Sequence, residues 1–356
     1  MSAGPASPAV RDVRVCLLGF GSVARSFCDL LVRQERVLAE RHGLRVLVTA
    51  VGTRRGSLVE PAGMTPAAAL ATIGARPAPP QAARPAAELL AASDADLLVE
   101  LTVMGDLSAV AAGRTTFVPP ATAHVLEAFR LGMDVVTANK GPIAWSWPEV
   151  SSAAAGSGRR IRFESTVMDG LPVFSLLDST LPDCTVLGFE AVFNATTNFI
   201  VDAMGTGRSL DDALASAQAD GYAEADPSND LDGWDAASKA AALANVAMDA
   251  GITPADVERE RLHDVPLERI LQARAGGRRL RLVTGVWRDG SGRVRARLRA
   301  EDLDIEHPLA ALTGESLGAV LHTDLMADVV VCERHALVPQ TAYGVYADLL
   351  HLRRRR

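Results

Sequence analysis

The chain has 356 residues, 48% of them apolar and 4% aromatic, with a formal net charge of −7. That length suits two domains with sizeable cores built on Ala, Val and Leu, and the acidic balance excludes nucleic-acid binding as the main role. Cys16, Cys28, Cys184 and Cys332 fall in no zinc or CxxC spacing, Met1 to Val10 lacks the pattern of a signal peptide, and no apolar run is long enough to span a membrane; free thiols in a reducing cytoplasm are expected.

Val13 to Leu18 reads as a buried strand that runs into Gly19-Phe20-Gly21-Ser22-Val23-Ala24. A helix over 24–41 then sets Phe27, Leu30, Leu31 and Leu38 on one side, the spacing of an amphipathic helix. Leu44 to Val51 is a second strand, ending at Gly52-Thr53-Arg54-Arg55-Gly56. Strand, glycine turn, helix and strand make a βαβ unit. Gly19-x-Gly21-x-x-Ala24 has the form of the dinucleotide fingerprint: one glycine for the turn, one for pyrophosphate approach, and a small residue for helix–strand packing. The alternative is an ordinary glycine turn. NAD preference places an acid at the end of the second strand; Arg54 and Arg55 stand there instead. Two cations suit a 2′-phosphate, so NADP is favoured over NAD; two solvated arginines are the plainer reading.

Residues 61–92, rich in Pro and Ala, read as short helices and loops. Asp96 to Leu101 is a buried strand, and Thr102 just beyond it joins the candidate cofactor contacts. A helix over 121–131 precedes the strand Asp134 to Thr137, with Lys140 past its end, and a strand resumes at Arg160 to Phe163. Thr185 to Asn194 alternates like a half-buried strand, and helices follow over 197–204 and 209–219. An acidic segment, 220–233, leads into an Ala-rich helix over 234–248. Strands over 279–286 and 293–300 flank the turn Asp289-Gly290-Ser291-Gly292, a hairpin. The expected class is α/β: a Rossmann-type doubly wound nucleotide-binding domain over 1–150, an α+β substrate and dimerisation domain over 151–330, and a C-terminal helix within 331–356 returning to the first domain.

Only two lysines occur, Lys140 and Lys239, in an arginine-rich chain. Lysine can release its proton when desolvated, and arginine cannot, so both are candidates for proton chemistry; codon bias is the rival explanation. Asp235 and Lys239 share a helix face, as a plain surface salt bridge would. The density of carboxylates before them, Glu224, Asp226, Asp230 and Asp232, is costly unless they bind something positive, and a substrate ammonium is one candidate.

On these residues the chain resembles homoserine dehydrogenases, which reduce aspartate 4-semialdehyde to homoserine with NAD(P)H. The resemblance rests on the Gly19-x-Gly21 loop, Thr137-Ala138-Asn139-Lys140-Gly141-Pro142, Glu164-Ser165-Thr166-Val167, Gly170-Leu171-Pro172-Val173, Asn194-Ala195-Thr196-Thr197-Asn198-Phe199 and the long signature over 221–239. It implies that Glu224 and Asp235 hold the substrate amino group and that Lys239 contacts the reacting oxygen. Lys140 would lie between substrate and nicotinamide, while Thr196 and Tyr222, with Asp230 nearby, would line the pocket. It further implies a homodimer joined through the second domain's sheet, and a monovalent cation wrapped by carbonyls of Glu164, Val167 and Asp169. A hydrogen bond and then a proton from a lysine would stabilise the oxygen that receives charge. Two lysines near one oxygen are expected to lower each other's pKa.

The pattern departs from the family at Ala195, at Met168-Asp169-Gly170, at 314–318, and over 332–342, where Cys332-Glu333-Arg334-His335-Ala336-Leu337-Val338-Pro339-Gln340-Thr341-Ala342 replaces a glycine-rich turn and the residues after it. These changes leave room for a different amino-acid semialdehyde, or for a nucleotide-binding relative without turnover. No amino-acid-sensing domain is expected after the last helix, and so no feedback by that route.

Overall fold

Two six-stranded sheets organise the chain. The computed structural model describes residues 10–353 apart from 75–78, 106, 108–109, 111–112 and 114–115. The first sheet holds β1 (Arg11–Leu18), β2 (Leu44–Thr53), β3 (Gly56–Met64), β4 (Leu97–Glu100), β5 (Asp134–Thr137) and β6 (Ile161–Arg162), in the order β3-β2-β1-β4-β5-β6. Neighbours are parallel except for the β2–β3 hairpin. Helices α1 (Ser22–Arg33), α2 (Glu35–His42), α3 (Pro66–Gly74), α4 (Ala86–Ala92), α5 (Pro120–Arg130), α6 (Gly141–Trp145) and α7 (Trp147–Ser157) connect them. Val13, Val15 and Leu17 pack with Phe27 and Leu31 on one face, while Cys16 and Leu18 meet Leu89, Leu90 and Phe129 on the other. Both faces are covered, which is why these strands are near-continuous apolar runs. β1 lies between β2 and β4, so the strand order reverses there. The carboxyl ends of β1 and β4 therefore open the crevice where doubly wound sheets bind ligands.

The second half contains α8 (Val173–Thr180), β7 (Val186–Val192), α9 (Ala195–Met204), α10 (Leu210–Ala219), α11 (Ser228–Leu231), α12 (Trp234–Met248), β8 (Glu258–Arg259), α13 (Leu267–Ala275), β9 (Arg279–Arg288), β10 (Val294–Leu303), β11 (Leu317–Thr323), β12 (Asp328–Glu333) and α14 (Val338–Arg353). Its sheet runs β12-β11-β7-β9-β10-β8, antiparallel except for β10 with β8. The alanines of α12, among them Ala237, Ala240, Ala241 and Ala244, are buried with Phe189, Ala191 and Leu298 of the sheet. Small side chains let this helix approach closely, so its composition serves the core. α14 then crosses back, and its Ala342, Val345, Tyr346, Leu349 and Leu352 join the α1 side of the first domain's core.

Four details differ from the sequence reading. The helix over 24–41 breaks at Gln34, which leaves helical geometry at φ −99° and ψ 6° and re-aims α2 so that Leu38 stays buried. Part of the Pro/Ala-rich stretch is strand: Gly56–Met64 folds back on β2, and its Glu-Pro-Ala-Gly run hides the alternation. β6 pairs with β5, so the first sheet extends past residue 150. The second sheet ends in β12 at Glu333, past the expected boundary at 330, and α14 starts only at Val338.

Candidate active site

The loop after β1 is shaped for an anion. Gly19 sits at φ +92°, and a Cβ there would come within 2.4 Å of the Leu101 carbonyl oxygen, so only glycine fits. Gly21 precedes α1, and a Cβ there would meet nothing within 4 Å, which leaves the backbone face open. α1 starts at Ser22 without a side-chain cap, so its first N–H groups and its dipole are available to a phosphate. Ser22 is exposed and Val23 half-buried, while the ring of Phe20 is buried under the Arg25 guanidinium at 5.5 Å. Phe20 thus offers only backbone to a ligand. Arg54 and Arg55 are both exposed at the β2–β3 turn. The residues present fit a dinucleotide.

Thr102 is held from below by a buried network. Glu100, fully buried at the end of β4, accepts from the Thr102 amide and hydroxyl, from Thr137 Oγ1, and bonds His124 Nδ1 at 3.2 Å. Asn139 Nδ2 donates to the Thr102 carbonyl at 2.9 Å, and Asn139 Oδ1 accepts from Gly141 N at 2.9 Å. Gly141 is obligatory, because a Cβ would lie 2.7 Å from Pro119 Cβ. This network fixes the loop that carries Lys140, immediately before α6.

Lys140 and Lys239 meet across Asp235. Lys140 Nζ lies 2.9 Å from Asp235 Oδ1, and Lys239 Nζ lies 3.0 Å from Oδ2. Lys239 also donates to the Phe193 carbonyl at 2.7 Å. Asp235 is placed by the turn at Gly233, φ +76°, where a Cβ would strike Leu298 Cδ2 at 2.5 Å. The Arg259 guanidinium stacks 3.4 Å over the adjacent Trp234 ring, which pins the start of α12. Burial pushes the Asp235 carboxyl up, but the two ammonium groups and the hydrogen bonds from Lys140 and Asn194 outweigh it and hold the carboxyl well below its usual range. Burial likewise works against the Lys239 charge, yet the carboxylates of Asp235, Asp169 and Asp230 leave its pKa above that of an ordinary lysine. The lowering expected from lysine–lysine repulsion does not occur at Lys239, because an acid stands between the two.

Asn194 has no role in the sequence reading, yet it ties the site together. Its Oδ1 caps α9 at Thr197 N, 2.8 Å away, while Nδ2 donates to Asp230 Oδ1 at 2.7 Å and to Asp235 Oδ2 at 2.8 Å. Its place before a predicted helix is the signal that marks it as a cap. Asp230, half-buried, is pushed above the usual carboxylate range by desolvation and the Asp235 charge, despite that bond and the two lysines. A cleft of about 320 Å³ opens in front, lined by Thr102, Lys140, Glu224, Asp226, Asp230 and Asp235 among others. Thr196 and Tyr222 do not line it. The Thr196 hydroxyl donates to the Tyr222 carbonyl at 2.8 Å, and the Tyr222 ring packs 4.8 Å from Phe199. These two residues brace the acidic loop from behind.

The Glu164 carboxylate already accepts from Phe174 N, Ser175 N and Ser175 Oγ, and its own amide donates to Asp348 Oδ2 at 2.8 Å. Val167 is fully buried. Asp169, at φ +47°, accepts from Thr341 Oγ1 at 2.7 Å. A cation in this segment would therefore be held by backbone carbonyls, and these carboxylates would not be its main ligands. Asp169 and Glu333, two of the departures from the family pattern, are neighbours. Burial and then the Asp169 charge push Glu333 up to about 7, and Asp169 also acts on Lys239.

The comparisons with known proteins agree with this architecture. The family model for homoserine dehydrogenase matches residues 172–350. The NAD(+)-dependent homoserine dehydrogenase of Pseudomonas canavaninivorans is 30% identical over 347 residues, covering 96% of both chains. A homoserine dehydrogenase structure from Thermoplasma acidophilum superposes with a TM-score of 0.81 at 27% identity, covering 96% of this chain and 99% of that one. A hyperthermophilic archaeal homoserine dehydrogenase in complex with NADPH gives 0.77 at 26% identity, covering 96% and 98%. The chain belongs to the homoserine dehydrogenase family of NAD(P)-dependent oxidoreductases.

Proposed function

We propose that this chain interconverts aspartate 4-semialdehyde and homoserine, a reading supported above all by the Lys140–Asp235–Lys239 clamp, of which Lys140 and Asp235 line the cleft and Lys239 stands behind Asp235. When bound, the nicotinamide cofactor supplies or receives the hydride. Lys239 Nζ, kept protonated by its carboxylate neighbours, hydrogen-bonds the aldehyde oxygen and gives it a proton as the alcohol forms. Lys140 Nζ adds a second positive charge beside that oxygen. Of the expected ammonium ligands, Glu224 and Asp235, the second is engaged by both lysines, so Glu224 offers its carboxylate to the substrate ammonium, with Asp230 beside it in the cleft wall. In the reverse direction Lys239 must first lose a proton, so homoserine oxidation is expected to gain from alkaline pH.

The test is turnover of NAD(P)H with aspartate 4-semialdehyde and of NAD(P) with homoserine. Cofactor binding without turnover in either direction would overturn the reading. Lys239→Arg keeps the charge and removes the transferable proton; turnover is expected to fall by about 10²–10⁴-fold with cofactor affinity unchanged.

NADP is the favoured cofactor, supported by Arg54 and Arg55 at the end of β2 with no acid beside them. The named relatives include both an NAD(+)-dependent enzyme and an NADPH complex. Arg54→Ala with Arg55→Ala is expected to weaken NADP about tenfold or more and NAD little; equal losses would remove the 2′-phosphate role. A second reading keeps the chemistry on another amino-acid semialdehyde. It is favoured by Asp169, a departure from the family pattern whose negative charge acts on Lys239. A panel of amino-acid aldehydes with kcat/KM for each separates the two.

A further inference from the structure

The connection from β4 to α5 runs over residues 101–119, and connections of that length inside a compact domain are usually functional. Its first part serves the cleft: Val103, Met104 and Gly105 line it together with Lys140, Glu224 and Asp235. Gly105 then turns the chain at φ +112°, where a Cβ would crowd the Phe117 ring at 3.1 Å. Beyond it the loop points apolar side chains inward. Val110 N donates to the Leu107 carbonyl and Gly113 N to the Val110 carbonyl, each at 2.9 Å, and both Leu107 and Val110 are buried.

These two residues do not join the core of the nucleotide domain. They are buried with Trp234, the residue before Asp235, in a separate cluster against which Met104, Phe117 and Trp145 pack. Trp145 ends α6, the helix that follows Lys140, and the Phe117 ring meets it edge-on at 5.2 Å. The cluster therefore touches the elements that carry both ends of the Lys140–Asp235 ion pair. Trp234 is its one member from the second domain. It is also the one aromatic residue of α12, a helix otherwise rich in alanine. Starting that helix needs no indole, because Gly233 already sets the turn. Packing against the sheet does not explain it either, since the buried alanines of α12 do that. What the indole adds is a broad apolar surface for Leu107 and Val110. Arg259, stacked over the ring, donates to the Asp232 carbonyl at 3.0 Å and so ties Trp234 to the turn before it.

We propose that Trp234 is a positioning residue for the reaction: it seats the β4–α5 loop, through Leu107 and Val110, against the helix that carries Asp235. One side chain then brings together the cleft wall supplied by the nucleotide domain and the carboxylate supplied by the second domain. Without that seat, Val103 and Met104 lose their place in the wall and the clamp opens to water. The inference rests on the reading of the Lys140–Asp235–Lys239 clamp as the reaction centre. Trp234 itself touches none of the reacting atoms.

Kinetics and hydrogen exchange on the full chain test it together. Trp234→Leu and Leu107→Ala are each expected to lower kcat/KM for aspartate 4-semialdehyde by about tenfold to 10²-fold. Combined, they are expected to cost no more than the worse of the two, because they break one contact. Trp234→Phe keeps an aromatic face for Arg259 and bulk for the loop, and is expected to stay within about threefold of the parent. In Trp234→Leu, exchange at the peptide carrying the Val110 and Gly113 amides is expected to quicken at least about tenfold. Parent kcat/KM in either single variant, losses that multiply in the double variant, no rescue by Trp234→Phe, or unchanged exchange overturns the proposal while the parent's turnover keeps the proposed function standing. A parent without turnover sinks the proposed function instead, and the seat is then decided by exchange alone under the same criterion. Should Trp234→Leu lose its circular-dichroism signature, Leu107→Ala decides by both measurements.

Discussion

At the scale of single residues, the site depends on one neutral amide placed among charges. Asn194 spends its oxygen on the helix cap and its two hydrogens on two carboxylates. An aspartate there would keep the cap and lose both donors, and it would set a third negative charge against Asp230 and Asp235. Asn194→Asp is therefore expected to cost at least about 2 kcal/mol of stability, read as a lower urea midpoint. Turnover should fall by about 10²-fold as the clamp shifts; a variant with normal stability and kcat would show that the amide is not needed. The identities of Lys140, Lys239 and Asp235 were legible in the sequence, because residue type and motif position carry them. Their mutual arrangement was not, since nothing in the spacing of 140 and 235 says that one carboxylate bridges both lysines. The direction of the Lys239 shift follows from that bridge and could be found only in three dimensions.

At the scale of elements, the βαβ unit and the α12 helix were readable from apolar period and glycine position. β3 was not, because Pro61 and Gly63 in an edge hairpin erase its alternation. The break at Gln34 carries no proline or glycine to announce it. α14 meets the Glu164 turn through a buried acid: Asp348 is 1% exposed, and burial, with the nearby Glu164 charge, pushes it up to about 8 from an ordinary 3.8. The folded chain thus holds this proton more tightly than the unfolded one. Stability from this group is full below about pH 4 and is lost as pH rises through about 8. Asp348→Asn keeps an acceptor for Glu164 N and removes the titration. Urea unfolding across pH 5 to 9 should show the variant gaining on the parent as pH rises, by on the order of 3 kcal/mol at the alkaline end; parallel profiles would refute the assignment.

At the scale of the whole molecule, the second sheet covers one face with helices, while Trp287 and Val330 stand 39% and 48% exposed. Gly188 and Trp287 are paired across β7 and β9, which sets Trp287 on the face opposite the helices. We propose that a second copy of the chain covers this face. Sedimentation equilibrium is expected to give a dimer that Trp287→Asp weakens, and a monomeric parent would remove the proposal. The return of α14 has a consequence of another kind. Phe27 and Leu31 of α1 emerge from the ribosome more than 300 residues before Val345 and Leu349, which pack with them. The nucleotide domain is thus discontinuous in time as well as in sequence. Its early strands must wait, with apolar surface uncovered, while the entire second domain is made.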